Sequence, residues 1–265
     1  MKTPHENNIF VKEIYRLKTV SSTNDFAKSL ILKGAKSGTV IVSERQTKGR
    51  GRKKRSWESP KGGLWFSIIL YPPVLSENLP LLTLMSAIAV TEAILEFKVP
   101  VYIKWPNDLL INNKKVCGIL SESITLPNNA KEGVKSLAVI IGIGVNVNNT
   151  LDSTPEIFLL RPTSLINELG KPVNRNRLLN RILDHFSGYY TEFISGNFPF
   201  ILNRWRSLAK PFLGQKISIK TEDGVFEGVA EDINEKGSLI LRLVTDNSLK
   251  IITAGDVALI TEEKV

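Results

Sequence analysis

Residues 104–122 read KWPNDLLINNKKVCGILSE. The segment before them, VYIKW, is a short strand candidate that ends at Pro106. LLINNKKVCGIL at 109–120 has the form of a β-hairpin, because Asn112-Asn113 tolerates the positive φ that a two-residue turn requires. Period-2 alternation along the returning strand puts Lys115 on one face with Cys117 and Ile119. Gly118 permits close approach of a ligand to the backbone. A lysine at a strand start is ordinarily exposed, and Asp108 after Pro-Asn is ordinarily a turn residue. Spacing alone therefore leaves both a structural and a functional role open for this pair.

Upstream, IYRLKTV (14–20), TVIVSE (39–44) and LWFSIIL (64–70) read as strands, the last apolar enough for the middle of a sheet. Between the first two, Ser22 or Thr23 caps a helix whose first turn holds Asp25. Phe26, Ala27, Leu30 and Ile31 form its apolar face and Gly34 ends it. LPLLTLMSAIAVTEAIL (79–95) falls short of the roughly 20 apolar residues of a membrane span and carries Glu92, so it reads as a buried helix. Downstream, SLAVIIGIGVNV (136–147) is an interior strand. RLLNRILDHFSGYYTEFI (177–194) carries the helical stripe Leu178, Ile182, Phe186, Tyr189 and Phe193. Strands and helices mix without regular alternation, which is an α+β arrangement. The pattern changes near Lys210-Pro211, where KISIK, VFEGVAE, SLILRLV, LKIIT and VALI are separated by turn signals at Asp223-Gly224, Lys236-Gly237 and Asp246-Asn247. We divide the chain into 1–210 and 211–265, the second part a small barrel of about 55 residues and marginal on its own.

Composition narrows the function classes. The 265 residues include 35 Lys+Arg against 26 Asp+Glu, a net charge of +9 that invites an anionic partner. With 42% hydrophobic and 23% charged residues the chain is not largely disordered. The single cysteine, Cys117, excludes an intramolecular disulfide and Cys-rich zinc sites. With only His5 and His185 present, a His-metal or Ser-His-Asp centre is disfavoured. The N-terminal MKTPHENN has no apolar signal core, so a reducing cytoplasm is the expected location.

The positive charge is concentrated in QTKGRGRKKRSW (46–57), where six of the eight residues from Lys48 to Arg55 are Lys or Arg. Glycines let this backbone fold closely around a ligand, and arginines offer planar forks for phosphate or carboxylate. As charge alone, a solvated basic loop or a nucleic-acid arm fits equally well. The Gly-Lys-Ser/Thr ending of a P-loop is missing. In IGIGVNVNN (141–149), Gly142 and Gly144 follow a strand, but Val147 occupies the third glycine position of a dinucleotide fingerprint and that reading fails. Close packing at a strand end, with Asn146 in a turn, is the plainer account. Ser22, Thr23 and Asn24, taken singly, are helix-capping residues.

In order and approximate spacing, TVSSTND, QTKGRGRKKRSW, GGLWFSI, KWPNDLL, KKVCGIL, GIGVNV and RPTSL together resemble the biotin protein ligases. EDINEKGSLILR and ITAGDV resemble that family's small C-terminal domain. The resemblance covers nearly the whole chain. It implies a class II synthetase-like, lipoate-ligase-like catalytic domain with a mixed β-sheet flanked by helices, followed by an SH3-like β-barrel. It also implies two reactions. Biotin's carboxylate attacks the α-phosphate of ATP, with Mg2+ present, to give biotinyl-5′-AMP and pyrophosphate. A lysine of a biotin carboxyl carrier protein then takes the biotinyl group and AMP leaves.

By position, Ser22, Thr23, Asn24, Gln46, Arg50, Gly51, Arg52, Lys115 and Gly118 match biotin-binding positions of the family. Arg50, Arg52, Arg55, Trp57, Asn107, Asp108, Lys115 and Asn146 match the nucleotide side. Lys115, Arg52 and Asp108 are the catalytic candidates, with Asp108 either orienting Lys115 or helping to deprotonate the incoming lysine; no protein cage for the metal is expected. The family's loop commonly reads Gly-Arg-Gly-Arg-x-Gly-Arg. Here Lys54 takes the last glycine's place, which implies a different closure, and repulsion among the loop's cations implies mobility when it is empty. The early first strand leaves no room for an N-terminal helix-turn-helix, so a monofunctional enzyme with no DNA or membrane partner is expected. A sheet-edge homodimer is common among relatives and stays open here. The nearest rival is a lipoate-protein ligase, against which the Gly-Arg-Gly-Arg loop followed by Trp and the barrel-like C-terminus weigh. A basic nucleic-acid-binding module leaves Lys115, Asn146 and the WPND segment unexplained.

Overall fold

The structure, a computed structural model, describes residues 2–3, 10–126, 137–151 and 160–260. In chain order it forms β1 (Lys2–Thr3), β2 (Glu13–Leu17), α1 (Thr23–Ile31), β3 (Thr39–Ser43), β4 (Leu64–Leu70), α2 (Pro80–Leu95), β5 (Tyr102–Lys104), β6 (Asp108–Ile111), β7 (Lys114–Thr125) and β8 (Leu137–Val145). Helices α3 (Leu165–Leu169), α4 (Arg175–Ile194) and α5 (Phe198–Leu208) follow. The chain finishes with β9 (Lys216–Lys220), β10 (Val225–Ile233), β11 (Leu239–Leu243), β12 (Leu249–Ile252) and β13 (Asp256–Leu259).

Strands β1 to β8 make one mixed sheet in the order β1-β2-β3-β4-β8-β7-β6-β5. Among the described strands only β2 and β3 run parallel. The near-continuous apolar runs of β4 and β8 lie side by side in the middle, where both faces are covered. Alternation sorts their side chains. Leu64, Phe66, Ile68 and Leu70 enter the main core beneath α2 and α4, whereas Ile69 faces Ala27, Leu30 and Ile31 of α1. Ser76–Leu95 is long and apolar enough to cross a membrane by length and composition. In the fold α2 is packed in the core, and its buried Ser86 and Thr91 hydroxyls donate to the carbonyls of Leu82 and Ala87.

The C-terminal strands form an antiparallel sheet, β12-β11-β10-β9-β13. All five strand candidates of the sequence are present, and Gly224, Gly237 and Asn247 take the positive φ expected of their turns. This sheet does not stand apart. Ile217, Ile219, Leu239, Leu241 and Val257 belong to the same contiguous core as α2. Trp105 Nε1 donates to the Gly237 carbonyl at 2.9 Å, and a Cβ on Gly237 would sit 2.7 Å from a Leu84 methyl. Glycine is required there both by its φ of 77° and by the contact. Arg206 of α5 adds bonds to Asp232 and to the Ile233 carbonyl.

Glu92 and Glu96 join α2 to α4 and α5. Glu92 accepts from Tyr189 at 2.7 Å and Arg204 at 2.6 Å, Glu96 accepts from Arg181 at 2.7 Å, and His185 lies between the two carboxylates. Burial pushes Glu92 up, but bonds from His185, Tyr189 and Arg204 outweigh it and hold the carboxyl at about 2. Arg181 and then His185 hold Glu96 at about 2. The bond to Glu92 raises His185 above its ordinary 6.5 despite burial. Stability from the two glutamates is therefore complete above their ordinary value of 4.5 and is lost as pH falls toward 2. That from His185 is complete below 6.5 and is lost as pH rises through its raised value. Denaturant unfolding across this range should show both limbs, with Glu92→Gln flattening the acid limb and His185→Gln the alkaline one.

Candidate functional site

The hairpin of β6 and β7 turns at Asn112 and Asn113, with φ of 50° and 60°. Its register then departs from strict alternation. Leu109 pairs with Cys117 but Leu110 pairs with Lys115, so Val116 is an extra residue in the returning strand. This bulge overturns the expected shared face of Lys115, Cys117 and Ile119. Cys117 and Ile119 are buried in the core, where burial drives the Cys117 thiol well above its ordinary range. Lys115 is turned to the opposite face, so that a Cβ on Gly118 would lie 3.3 Å from its Cε.

That face carries a row of residues across four strands. Asp108 pairs with Gly118, Gly118 with Gly144, and Gly144 with Trp65. The two glycines leave a floor on which the indole of Trp57 rests. A Cβ on Gly144 would be 2.6 Å from Trp57 Nε1, and one on Gly118 would be 3.1 Å from the indole's six-membered ring. Trp57 Nε1 is buried with no hydrogen-bond partner among the described residues. Lys115 Nζ lies 5.1 Å from the centroid of the same ring. One row further on, Gly142 makes room for the Asn24 amide. The glycines of IGIGV thus serve side chains laid flat on a sheet.

Asp108 is the centre of charge at one end of this row. Lys115 Nζ is 2.5 Å from Oδ1 and Lys104 Nζ is 3.6 Å from Oδ2. Burial pushes the Asp108 carboxyl up, but Lys115, Lys104 and Arg52 outweigh it and hold it below the ordinary carboxylate range. Burial in turn pulls Lys104 down, offset only partly by Asp108. Arg52 Nη1 donates to Asn107 Oδ1 at 3.0 Å, and Asn107 Nδ2 donates to the Ile119 carbonyl. RPTSL reaches the same place, since Lys115 and Thr163 exchange backbone bonds with Arg161 and Lys115. Asn146 lies behind the bulge, its N–H on the Val116 carbonyl and its Oδ1 accepting from Asn149.

At the other end, Ser22, Thr23 and Asn24 are buried at the start of α1. Ser22 holds the N-cap position but makes no side-chain capping bond. The next two residues instead make lateral bonds. The Thr23 N–H and hydroxyl donate to Gln46 Oε1 at 2.7 and 3.0 Å, and Gln46 Nε2 donates to Ser59. Ser67 Oγ lies 2.7 Å from Thr23 Oγ1 and 2.6 Å from Asn24 Oδ1, while Asn24 Nδ2 donates to Glu122 at 2.7 Å.

The basic loop bridges the two ends. Arg50 contacts both Glu122 at 2.7 Å and Asp25 at 2.9 Å, and the Gly51 N–H closes the loop on the Arg55 carbonyl. Arg55 turns instead to Asp256 of the C-terminal sheet. Repulsion between like charges led to the expectation of mobility, but carboxylates distant in sequence stand among these cations. Lys54, at the position of the family's glycine, has a φ of 60°. The backbone therefore takes the left-handed form a glycine adopts freely, at a cost for a lysine on the order of 1 kcal/mol. Ser67, Lys104, Glu122 and Asp256 were not among the candidates from sequence. Ser67 and Lys104 had a signal, each being the one polar residue of an apolar strand run.

Residues 17–146 match the profile of the biotin/lipoate A/B protein ligase family, and residues 212–259 match the biotin protein ligase C-terminal domain. A bifunctional ligase/repressor BirA of Bacillus subtilis is 37% identical over 242 residues, covering 91% of this chain and 72% of that protein. The chain belongs to the biotin protein ligase family. A biotin–[acetyl-CoA-carboxylase] ligase of Paracoccus denitrificans is 32% identical, with 85% of this chain and 92% of that one aligned. Among solved structures, the biotin protein ligase from Aquifex aeolicus in complex with biotin and ATP superposes with a TM-score of 0.78. It is 33% identical and covers 94% of this chain and 99% of that one. In this chain a mixed sheet flanked by helices precedes a small antiparallel one.

Asp108→Asn leaves Lys104, Lys115 and Arg52 without their shared carboxylate, and removing one partner of a buried charge group costs about 3–5 kcal/mol. Denaturant unfolding of this variant should show a loss of that order, with Lys104→Met partly restoring stability in the double variant.

Proposed function

We propose that this protein activates biotin with ATP and transfers it to a lysine of a biotin carboxyl carrier protein. In the first reaction a biotin carboxylate oxygen bonds to the α-phosphorus as the bond to the β-phosphate oxygen breaks, giving biotinyl-5′-AMP and pyrophosphate. In the second, the acceptor amine attacks the acyl carbon, AMP leaves, and the amine gives up its proton. The observation that carries this reading is the excess of cations at the glycine-floored face. Lys115, Lys104 and Arg52 surround the single carboxylate of Asp108. Two anions that repel each other need such a field, and it is strongest where water is excluded.

The polar pocket of Ser22, Thr23, Asn24, Gln46 and Ser67 suits a ureido ring. Trp57 and Trp65, in edge contact at 6.5 Å, offer an apolar wall for the thiophene ring and chain. The buried Trp57 N–H, without a hydrogen-bond partner among the described residues, faces the glycine floor. Mg2+ would arrive with the nucleotide, held chiefly by its phosphates. The depressed carboxyl of Asp108 makes it a poor base toward an amine whose pKa is about 10.4, which favours the orienting role over deprotonation. We place the enzyme in the cytoplasm, with the carrier and not DNA as its macromolecular partner.

The direct test is biotin-dependent exchange of labelled pyrophosphate into ATP. Exchange that needs lipoate instead, or no exchange beside salt-sensitive DNA binding, overturns the reading. Asp108→Asn should slow adenylate formation far more than transfer from supplied biotinyl-5′-AMP, because it is Lys115 that loses its place. Arg52→Gly should retain the adenylate poorly and label unrelated lysines. Equal labelling by variant and wild type would remove Arg52 from any retaining role.

A further inference from the structure

The basic loop and the small sheet meet at a single carboxylate. Asp256 opens β13, and its side chain is only 10% exposed. Its Oδ2 lies 2.5 Å from Arg55 Nη2 and 3.2 Å from Lys53 Nζ. The carbonyl of the preceding Gly255 accepts from Arg52 Nη2 at 3.0 Å. Arg52 thereby spans from the small sheet to Asn107 in the site. A Cβ on Gly255 would fall 2.6 Å from the Ile219 side chain, so this corner lies close against β9 and its position is fixed by the packing of the sheet. Three loop cations are thus held by two adjacent residues of the C-terminal part, while Arg50 is held separately by Asp25 and Glu122.

We propose that Asp256 is a positioning residue, the catch on which the basic loop closes, with the small sheet as its fixed post. This rests on the ligase reading above. Pyrophosphate, on leaving the site, takes with it much of the negative charge that drew the loop inward, and the loop's cations then repel one another again. An anion built into the chain at the loop's edge keeps Arg52, Lys53 and Arg55 in place during that interval. The mixed anhydride then waits for its acceptor behind a closed loop, out of reach of water and of unrelated amines. The small sheet therefore contributes to catalysis by retaining the intermediate.

The experiment uses the full chain with Asp256→Asn, Asp256→Glu, Lys53→Gln and, as a reference, Arg206→Gln, which breaks a different bond, between α5 and the small sheet. In ligand-free protein, tryptic cleavage after Lys48, Arg50 and Arg52, sites that every variant keeps, should quicken several-fold in Asp256→Asn, less in Lys53→Gln, and return toward wild type in Asp256→Glu. With biotin and ATP, the same order should hold for release of biotinyl-5′-AMP, read as labelling of an added unrelated protein. Unchanged cleavage and release in Asp256→Asn overturn the proposal, as do equal changes in Arg206→Gln, which would reflect general loosening of the small sheet. If Asp256→Asn is cut throughout, it is unfolded and Lys53→Gln decides by the same two readouts. A wild-type protein that makes no adenylate refutes the ligase reading instead, while the cleavage measurement still judges the catch.

Discussion

One buried carboxylate organises the site. Asp108 stands between Lys115 and Lys104, with Arg52 nearby, in surroundings where an unpaired charge of either sign would be costly. Its place is set by the tight connection between β5 and β6, and Lys115 is brought to it by the bulge at Val116. The cluster retains more positive than negative charge after this pairing. That surplus is what a pair of reacting anions would meet.

The second constraint is the absence of side chains. Gly118, Gly142 and Gly144 share one face of the main sheet, and Trp57 and Asn24 fill the space they leave. The opposite face of the same strands is densely apolar beneath α2 and α4. An apolar layer on one side thus supports a polar face on the other. Positioning of reactive groups depends on such support, because this face is only as well ordered as the strands beneath it.

Local patterns in the sequence announced most of the elements. The Asn-Asn turn, the apolar run of β4, the stripe of α4 and the five short C-terminal strands each follow from contacts within a few residues, and each is present. The site was legible only through resemblance of its motifs to a family. Strict alternation misplaced Lys115, since a bulge depends on the partner strand and leaves no mark in the strand that contains it. The charge count of the loop missed Glu122 and Asp256, which lie about 70 and 200 residues away in sequence and arrive by strand pairing and domain packing. Ser22 does stand at the helix N-cap but its hydroxyl makes no capping bond, while Thr23 and Asn24 beside it bond to Ser67 across the sheet.

The shared core beneath α2 has a bearing on how this chain can be handled. Trp105 and Gly237 lock the two sheets through a buried bond, and Ile217, Ile219 and Leu239 sit in the same apolar mass as Leu81 and Leu84. A fragment ending before β9 would lay that surface bare to water, and such surfaces drive self-association. The last fifty-odd residues are therefore part of the molecule's core and not a detachable tail.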